Sequence, residues 1–293
     1  MRAEGGAEGQ FWLRFWGVRG SHPTPGRSTV RVGGNSVCVE LYAGGQRLIF
    51  DAGTGLIRLG EDLCRNAHER QVDLFLSHYH HDHIDGLRFF APLYERGWTC
   101  RIHGPKLGSA KPAPTLRQAM APAFFPVQLE ELPARLEIRE VRDDAIVRPG
   151  GRGGPRVRVR LSQAHPKLGV ALYRVEYAAK TLVYVTDLEA VGPAFDEVVD
   201  FARGGSVLVH DAQYTEEEYF STHRSRAGWG HSTVRMAAEV ARAAGVGKLF
   251  LYHHDPSHDD RFLLSLLREA RSLFRLTELA REGLRVDLTA SPL

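Results

Sequence analysis

The chain has 293 residues, of which 43% are hydrophobic and 25% charged, with a formal net charge of +3. That length buries a full core without staples, and the balance excludes a mainly disordered, collagen-like or disulfide-scaffold protein. The small net charge gives no support for a nucleic-acid coat, and three cysteines without a CxxC pair (Cys38, Cys64, Cys100) suit a reducing interior.

Met1–Gln10 is rich in Gly and Glu, lacks the apolar stretch of a signal peptide and reads as a flexible tail. Residues 11–293 read as one domain. No apolar run approaches the roughly 20 residues that span a bilayer, so a cytoplasmic protein with no membrane partner is expected. Phe11–Phe15 predicts a first strand, followed by a Gly/Pro-rich loop from Gly17 to Asn35. Ser36–Tyr42 and Arg47–Phe50 predict a hairpin. Gly55–Ala67 has helical spacing, with Leu56, Leu59 and Leu63 on one face. Val72–Leu76 reads as a buried strand running into His78, and Ile84–Leu93 as a helix. Arg101–His103 predicts a strand, and Lys106–Val127 loops around one short helix. Arg135–Val141 and Arg156–Leu161 predict strands, the second with Arg156, Arg158 and Arg160 on a solvated face. Gly169–Tyr177 and Thr181–Val185 form a second hairpin. The last third alternates: helix Phe195–Ala202, strand Val207–Val209, helix Ser232–Ala244 with Ser232 as cap, strand Leu249–Tyr252, helix Phe262–Leu276. Strand-rich halves with interleaved helices predict a sheet-on-sheet core covered by helices.

Ser77-His78-Tyr79-His80-His81-Asp82-His83 is the most informative stretch. Packing gains nothing from four imidazoles in six residues, because each needs partners when buried. The run sits where an apolar strand ends, a common position for reactive loops. His78 and His80 can grip one ion, and Asp82 and His83 a second. Imidazole and carboxylate ligands without thiolate favour Zn²⁺, Mn²⁺ or Fe²⁺. Two ions about 3.5–4 Å apart can share a bridging hydroxide, but this pair needs further ligands from distant residues.

His78, His80, Asp82 and His83 match without a gap the HxHxDH motif of the metallo-β-lactamase superfamily, which the chain resembles from about Phe11 to Asp260. The resemblance implies an α/β fold: an αββα four-layer sandwich of two mixed β-sheets flanked by helices. It implies His78, His80 and His165 around one metal, Asp82, His83 and His253 around the other, and Asp187 bridging them. His253 and His254 compete for the last place, and the strand-then-His register of ribonuclease Z relatives favours His253. His81 falls outside the motif, and Asp51 in the Gly-rich turn Asp51–Gly55 can brace the His loop.

The last third resembles the ribonuclease Z branch. Val209-His210-Asp211-Ala212 is similar to its His-Glu-Ala-Thr loop and Gly230-His231-Ser232-Thr233 to its Gly-His-Ser-Thr segment, implying His231 as proton donor and Asp211 as the group that orients it. That branch grips tRNA with an arm, in one major group inserted between the third metal His and the bridging Asp. Here only 22 positions separate His165 from Asp187, and a plain hairpin fills them. The front segments Phe15–Gly26, Gly33–Glu40 and Asp51–Gly55, with His253–Pro256, look like an armless bacterial phosphodiesterase-like group. The expected function is a binuclear phosphodiesterase acting on a small nucleotide, including a 3′,5′-cyclic one, by attack of a metal-bridging hydroxide. Alternatives are an RNA 3′-end endonuclease, a metal-dependent nucleotide-binding module without turnover, and a thioester or lactone hydrolase. Relatives in this superfamily are often homodimers.

Overall fold

The structure is a computed structural model that describes residues 9–290. The expected tail lies outside the described residues except for Gly9 and Gln10, and the Gln10 carbonyl accepts the Gly44 N–H at 3.1 Å. Strands β1 (Phe11–Gly17), β2 (Cys38–Ala43), β3 (Gln46–Phe50), β4 (Gln71–Phe75), β5 (Thr99–Pro105) and β6 (Arg135–Val141) build the first sheet. Strands β7 (Ile146–Val147), β8 (Arg156–Ser162), β9 (Val170–Tyr177), β10 (Lys180–Val185), β11 (Val207–Asp211), β12 (Lys248–Tyr252) and β13 (Thr277–Leu279) build the second. Finally β14 (Arg285–Asp287) returns to the first sheet beside β1. Each sheet has seven strands, ordered β14-β1-β2-β3-β4-β5-β6 and β13-β12-β11-β10-β9-β8-β7. Both are mixed: antiparallel hairpins give way to a parallel series at β3–β6 and at β10–β13. This is the metallo-β-lactamase fold.

The period-two pattern of β1 explains its placement: Phe11, Leu13 and Phe15 are buried, while Trp12 and Arg14 are half-buried on the other face. Aromatic rings join the sheets across the core, with Phe15 to Phe250 at 5.3 Å and Phe50 to Tyr173 and Tyr184 at 5.5 and 5.3 Å between centroids. Helix α1 (Gly55–Asn66) turns Leu56, Leu59 and Leu63 into a second apolar cluster with Ile49, Leu74 and Trp98, covering the outer face of the first sheet. Helices α2 (His81–Ile84), α3 (Pro112–Ala119), α4 (Pro193–Ala202), α5 (Glu216–Tyr219), α6 (Val234–Ala244) and α7 (Asp260–Leu273) complete the chain. Residues of α4, α6 and α7 join the main core with those of the second sheet. No helix among the described residues is long and apolar enough to cross a membrane.

Several expected elements change. The helix expected over Ile84–Leu93 is instead α2, starting inside the His motif, followed by 3₁₀ turns Asp85–Phe89 and Ala91–Tyr94. Gly86 packs backbone to backbone there: its N–H donates to the Ala52 carbonyl at 2.8 Å, and a Cβ would meet Gly53 O at 2.0 Å. Pro92 also resists a continuous helix. The cap of α6 is Thr233, whose hydroxyl accepts the Met236 N–H, whereas Ser232 donates its hydroxyl to the Leu188 carbonyl at 2.6 Å. The last helix ends at Leu273, and the three-residue strands β13 and β14 follow it.

Candidate active site

Strand ends of both sheets converge on one edge of the sandwich. From the first sheet come Asp51 after β3 and the loop His78–His83 after β4. The second sheet sends His165 after β8, Asp187 after β10, Asp211 at the end of β11 and His253 after β12. Asp51, Asp187 and His253 have φ of 58°, 50° and 58°, in the left-handed region. Each such backbone costs of order 1–3 kcal/mol and is held by surrounding structure. The turn redirects each side chain from the strand line towards the shared edge.

Two donor sets result. Ligand atoms of His78, His80, His165 and Asp187 lie within 4.8 Å of one another, as do those of Asp82, His83, Asp187 and His253. Asp187 belongs to both. Its Oδ1 is 3.7 Å from His78 Nε2, and its Oδ2 is 3.1 Å from both His83 Nε2 and His253 Nε2. Asp82 Oδ2 stands 3.3 and 3.4 Å from the Nε2 atoms of His253 and His83, and also accepts the Ser21 N–H at 2.7 Å. His81 points away, with its side chain 80% exposed and Nδ1 3.3 Å from Asp85. His254 also stays out: its Nε2–H donates to the Ala280 carbonyl at 3.0 Å. Burial pushes the His254 imidazole down to about 3.

The rings are held from behind. His165 Nδ1–H donates to the Gly230 carbonyl at 3.1 Å, and His253 Nδ1–H to Gln213 Oε1 at 2.8 Å. His83 Nδ1 is 2.9 Å from Asp51 Oδ2. Each spends Nδ1 on the protein and turns Nε2 to the centre, the arrangement of an imidazole prepared for a metal. The Nε2 atoms of His78 and His165 are buried and make no hydrogen bond among the described residues. Buried polar atoms are normally satisfied, so these two fit a group that accepts their lone pairs. The donor sets therefore fit divalent ions bound by imidazole and carboxylate.

Electrostatics agree with that fit. Burial pushes the His78 imidazole well below its ordinary value, with His83 adding to the effect, and burial likewise lowers His80 and His165. Those three are neutral and can donate lone pairs. Burial alone would raise the Asp187 carboxyl, but His253 and His83 outweigh it and hold it well below the carboxylate range. Burial opposes a charge on His253, yet Asp187 and Asp82 lift it to about 9. A cation held there would compete with the proton of His253.

Beside the second set, His231 Nδ1–H donates to Asp211 Oδ2 at 2.8 Å. Asp211 is itself fixed by the N–H groups of Gln213 at 3.1 Å and Leu188 at 3.3 Å. Ligand atoms of Asp211, His231 and His253 also cluster within 4.8 Å. His231 keeps Nε2 free to carry a proton. Gly230 brings this segment hard against His165: a Cβ there would sit 2.6 Å from His165 Nδ1 and 2.1 Å from Pro166.

Comparison with known proteins places this edge. The sequence model described as a beta-lactamase superfamily domain matches residues 46–254. The chain belongs to this family. It is 27% identical to a ribonuclease Z of Archaeoglobus fulgidus over 95% of this chain and 98% of that protein. Two solved structures share the fold at 17% identity. They are the metallo-β-lactamase fold protein YhfI of Bacillus subtilis (TM-score 0.68, 95% of this chain, 99% of that one) and a diphosphatase of the PhnP family (TM-score 0.66, 94% and 97%).

In this metallo-β-lactamase superfamily hydrolase, several supporting residues had no sequence signal of their own. Asp51 accepts from Ser77 N–H, Ser77 hydroxyl and Tyr184 hydroxyl at 2.7, 2.8 and 2.8 Å, so its bracing role is larger than the turn reading implied. Ser21 and Gln213 were missed because they come from segments far apart in sequence. Gln213 follows the His210-Asp211 pair by two positions, the one hint available. His103 and His258 are buried and bonded to Asp73 at 2.7 Å and Glu218 at 2.8 Å. The basic stretch is neutralised on its own sheet face: Arg156 pairs with Glu176, Arg158 with Asp144, and Arg160 with Asp143 and Asp144.

Proposed function

We infer that this hydrolase is a phosphodiesterase working at two divalent ions, zinc first and manganese or iron next, and acting on a small nucleotide, including a 3′,5′-cyclic one. One ion is assigned to His78, His80 and His165, the other to Asp82, His83 and His253, with Asp187 between them. The observation that carries the reading is the His231–Asp211 pair at 2.8 Å beside these donors. The departing alkoxide of a phosphodiester needs a proton, and this pair stands beside the donors to supply it. Bound ions would supply Lewis acidity and a nucleophile at neutral pH. The protein's part is to keep the donors rigid, to neutralise phosphate oxygens and to deliver a proton from His231 Nε2. Asp211 holds that imidazole in one tautomer and orientation, a positioning role.

The connection from His165 to Asp187 is the β9–β10 hairpin, a short turn rather than an RNA-gripping arm. This favours a small substrate. The full-length similarity to the Archaeoglobus fulgidus ribonuclease Z supports a second reading, an RNA 3′-end endonuclease. Metal-loaded protein should be tested in parallel on 3′,5′-cyclic AMP, 3′,5′-cyclic GMP and a tRNA precursor. The proposal expects nucleotide hydrolysis to exceed precursor cleavage in kcat/KM; the reverse order would replace it with the endonuclease reading.

A further inference from the structure

Between α5 and His231 the chain carries Phe220, Arg224, Arg226 and Trp229 on a segment no role above has used. Phe220 is 65% exposed and Trp229 45%. A large exposed aromatic next to Gly228, which lines a cleft, is informative in a way that a scattered one is not. The Arg226 guanidinium lies 4.5 Å from the centre of the Trp229 ring and 5.6 Å from that of Tyr214, whose ring in turn meets His231 edge-on. Arg224 lies 5.7 Å from the same Trp229 ring.

The segment is built rather than loose. Glu189, nearly buried, accepts the N–H groups of Gly228 at 2.8 Å and Gly230 at 3.2 Å, and the Tyr219 hydroxyl. The Trp229 N–H closes a turn onto the Arg226 carbonyl at 3.0 Å. Gly230 then ties the segment to His165. A cleft of about 1010 Å³ runs from His165, past Gly228 and Glu189, to Arg158 and Arg160. The arginines lining the cleft differ from those of the segment next to Gly228. Arg158 and Arg160 are occupied by Asp143 and Asp144, whereas Arg224 and Arg226 form no ion pair among the described residues.

The geometry points to this segment as a nucleobase platform: the nucleoside of the substrate stacks on Trp229, with Arg226 and Arg224 supplying cation–π and phosphate contacts. Resting on the phosphodiesterase reading, it names the substrate as a phosphodiester carrying a base. A preordered aromatic ring loses little freedom on binding, so its contribution falls on affinity rather than on chemistry.

The test compares the p-nitrophenyl ester of thymidine 5′-phosphate with methyl p-nitrophenyl phosphate, which shares its leaving group and lacks a base. Trp229→Ala should raise KM for the thymidine ester about ten-fold, the order of one stacked base, with kcat within about two-fold. The methyl ester should respond less than two-fold, and Trp229→Phe should restore most of the thymidine affinity. Thymidine 5′-monophosphate should quench tryptophan emission of the wild type and not of Trp229→Phe. Equal losses on both esters, or none on either, would overturn the platform while leaving the phosphodiesterase reading intact. Wild-type protein that turns over neither ester would sink that reading instead, and the quenching result would then decide the platform alone.

Discussion

The first sheet supplies its half of the site from one stretch, His78–His83, whereas the second sends single side chains from four strand ends, at His165, Asp187, Asp211 and His253. Each half is organised by a buried carboxylate with a different duty. Asp51, at the end of β3, gathers Ser77, His83 and Tyr184, and so stiffens the loop that carries the first four candidate ligands. Asp211, at the end of β11, gathers Leu188, Gln213 and His231, and so orients the His231 imidazole. Asp187 is where the halves meet, since it belongs to both donor sets. A locally encoded half and a topologically encoded half thus both bring candidate ligands, and only the second adds the His231–Asp211 pair.

The largest effect should come from breaking the meeting point. Asp187→Ala should remove metal occupancy and lower phosphodiester turnover by ~10³-fold or more, the several kcal/mol a metal contributes to the transition state. Elemental analysis with bis-p-nitrophenyl phosphate checks both. His231→Ala should lower turnover of a poor leaving group by about 10²–10⁴-fold with metal content nearly unchanged. An unchanged rate on good and poor leaving groups alike would remove His231 from the chemistry.

The two supporting carboxylates sharpen the comparison. Asp51→Asn should weaken metal affinity by about 10–100-fold, the usual cost of losing a partner behind a ligand. Asp211→Asn should leave metal affinity near wild type and depress kcat on poor leaving groups, steepening the dependence on leaving-group pKa. If both variants changed metal affinity equally, the division of duties would be wrong.

A smaller effect concerns stability. His254 is buried, neutral and lowered to about 3, so between its ordinary value and that point the unfolded chain binds a proton the folded chain does not. Its contribution is therefore complete above about pH 6.5 and is lost as pH falls, at up to ~1.4 kcal/mol per pH unit. In metal-free protein, His254→Gln should make the urea midpoint less sensitive to pH between 6.5 and 4.

The same division explains what could be read from sequence. His78, His80, Asp82 and His83 were legible because their spacing is local. His165, Asp187 and His253 were legible only as residues following strands, through the family resemblance, because nothing local distinguishes a ligand from a buried polar residue. Ser21, Gln213 and Glu189 were illegible, since tertiary contacts alone give them their roles. The Ser232 and Thr233 caps show the same limit: both side chains can cap a helix, and a hydrogen bond to Leu188, 44 residues away, decides between them. Strands β13 and β14, at three residues each, are too short to carry a period.

The most direct measurement is bis-p-nitrophenyl phosphate hydrolysis as zinc or manganese is titrated into metal-free protein. Two cooperating donor sets predict turnover that rises with bound metal and levels at two ions per chain. A folded protein that holds two ions without turnover, or that reaches full activity with one, would contradict the account.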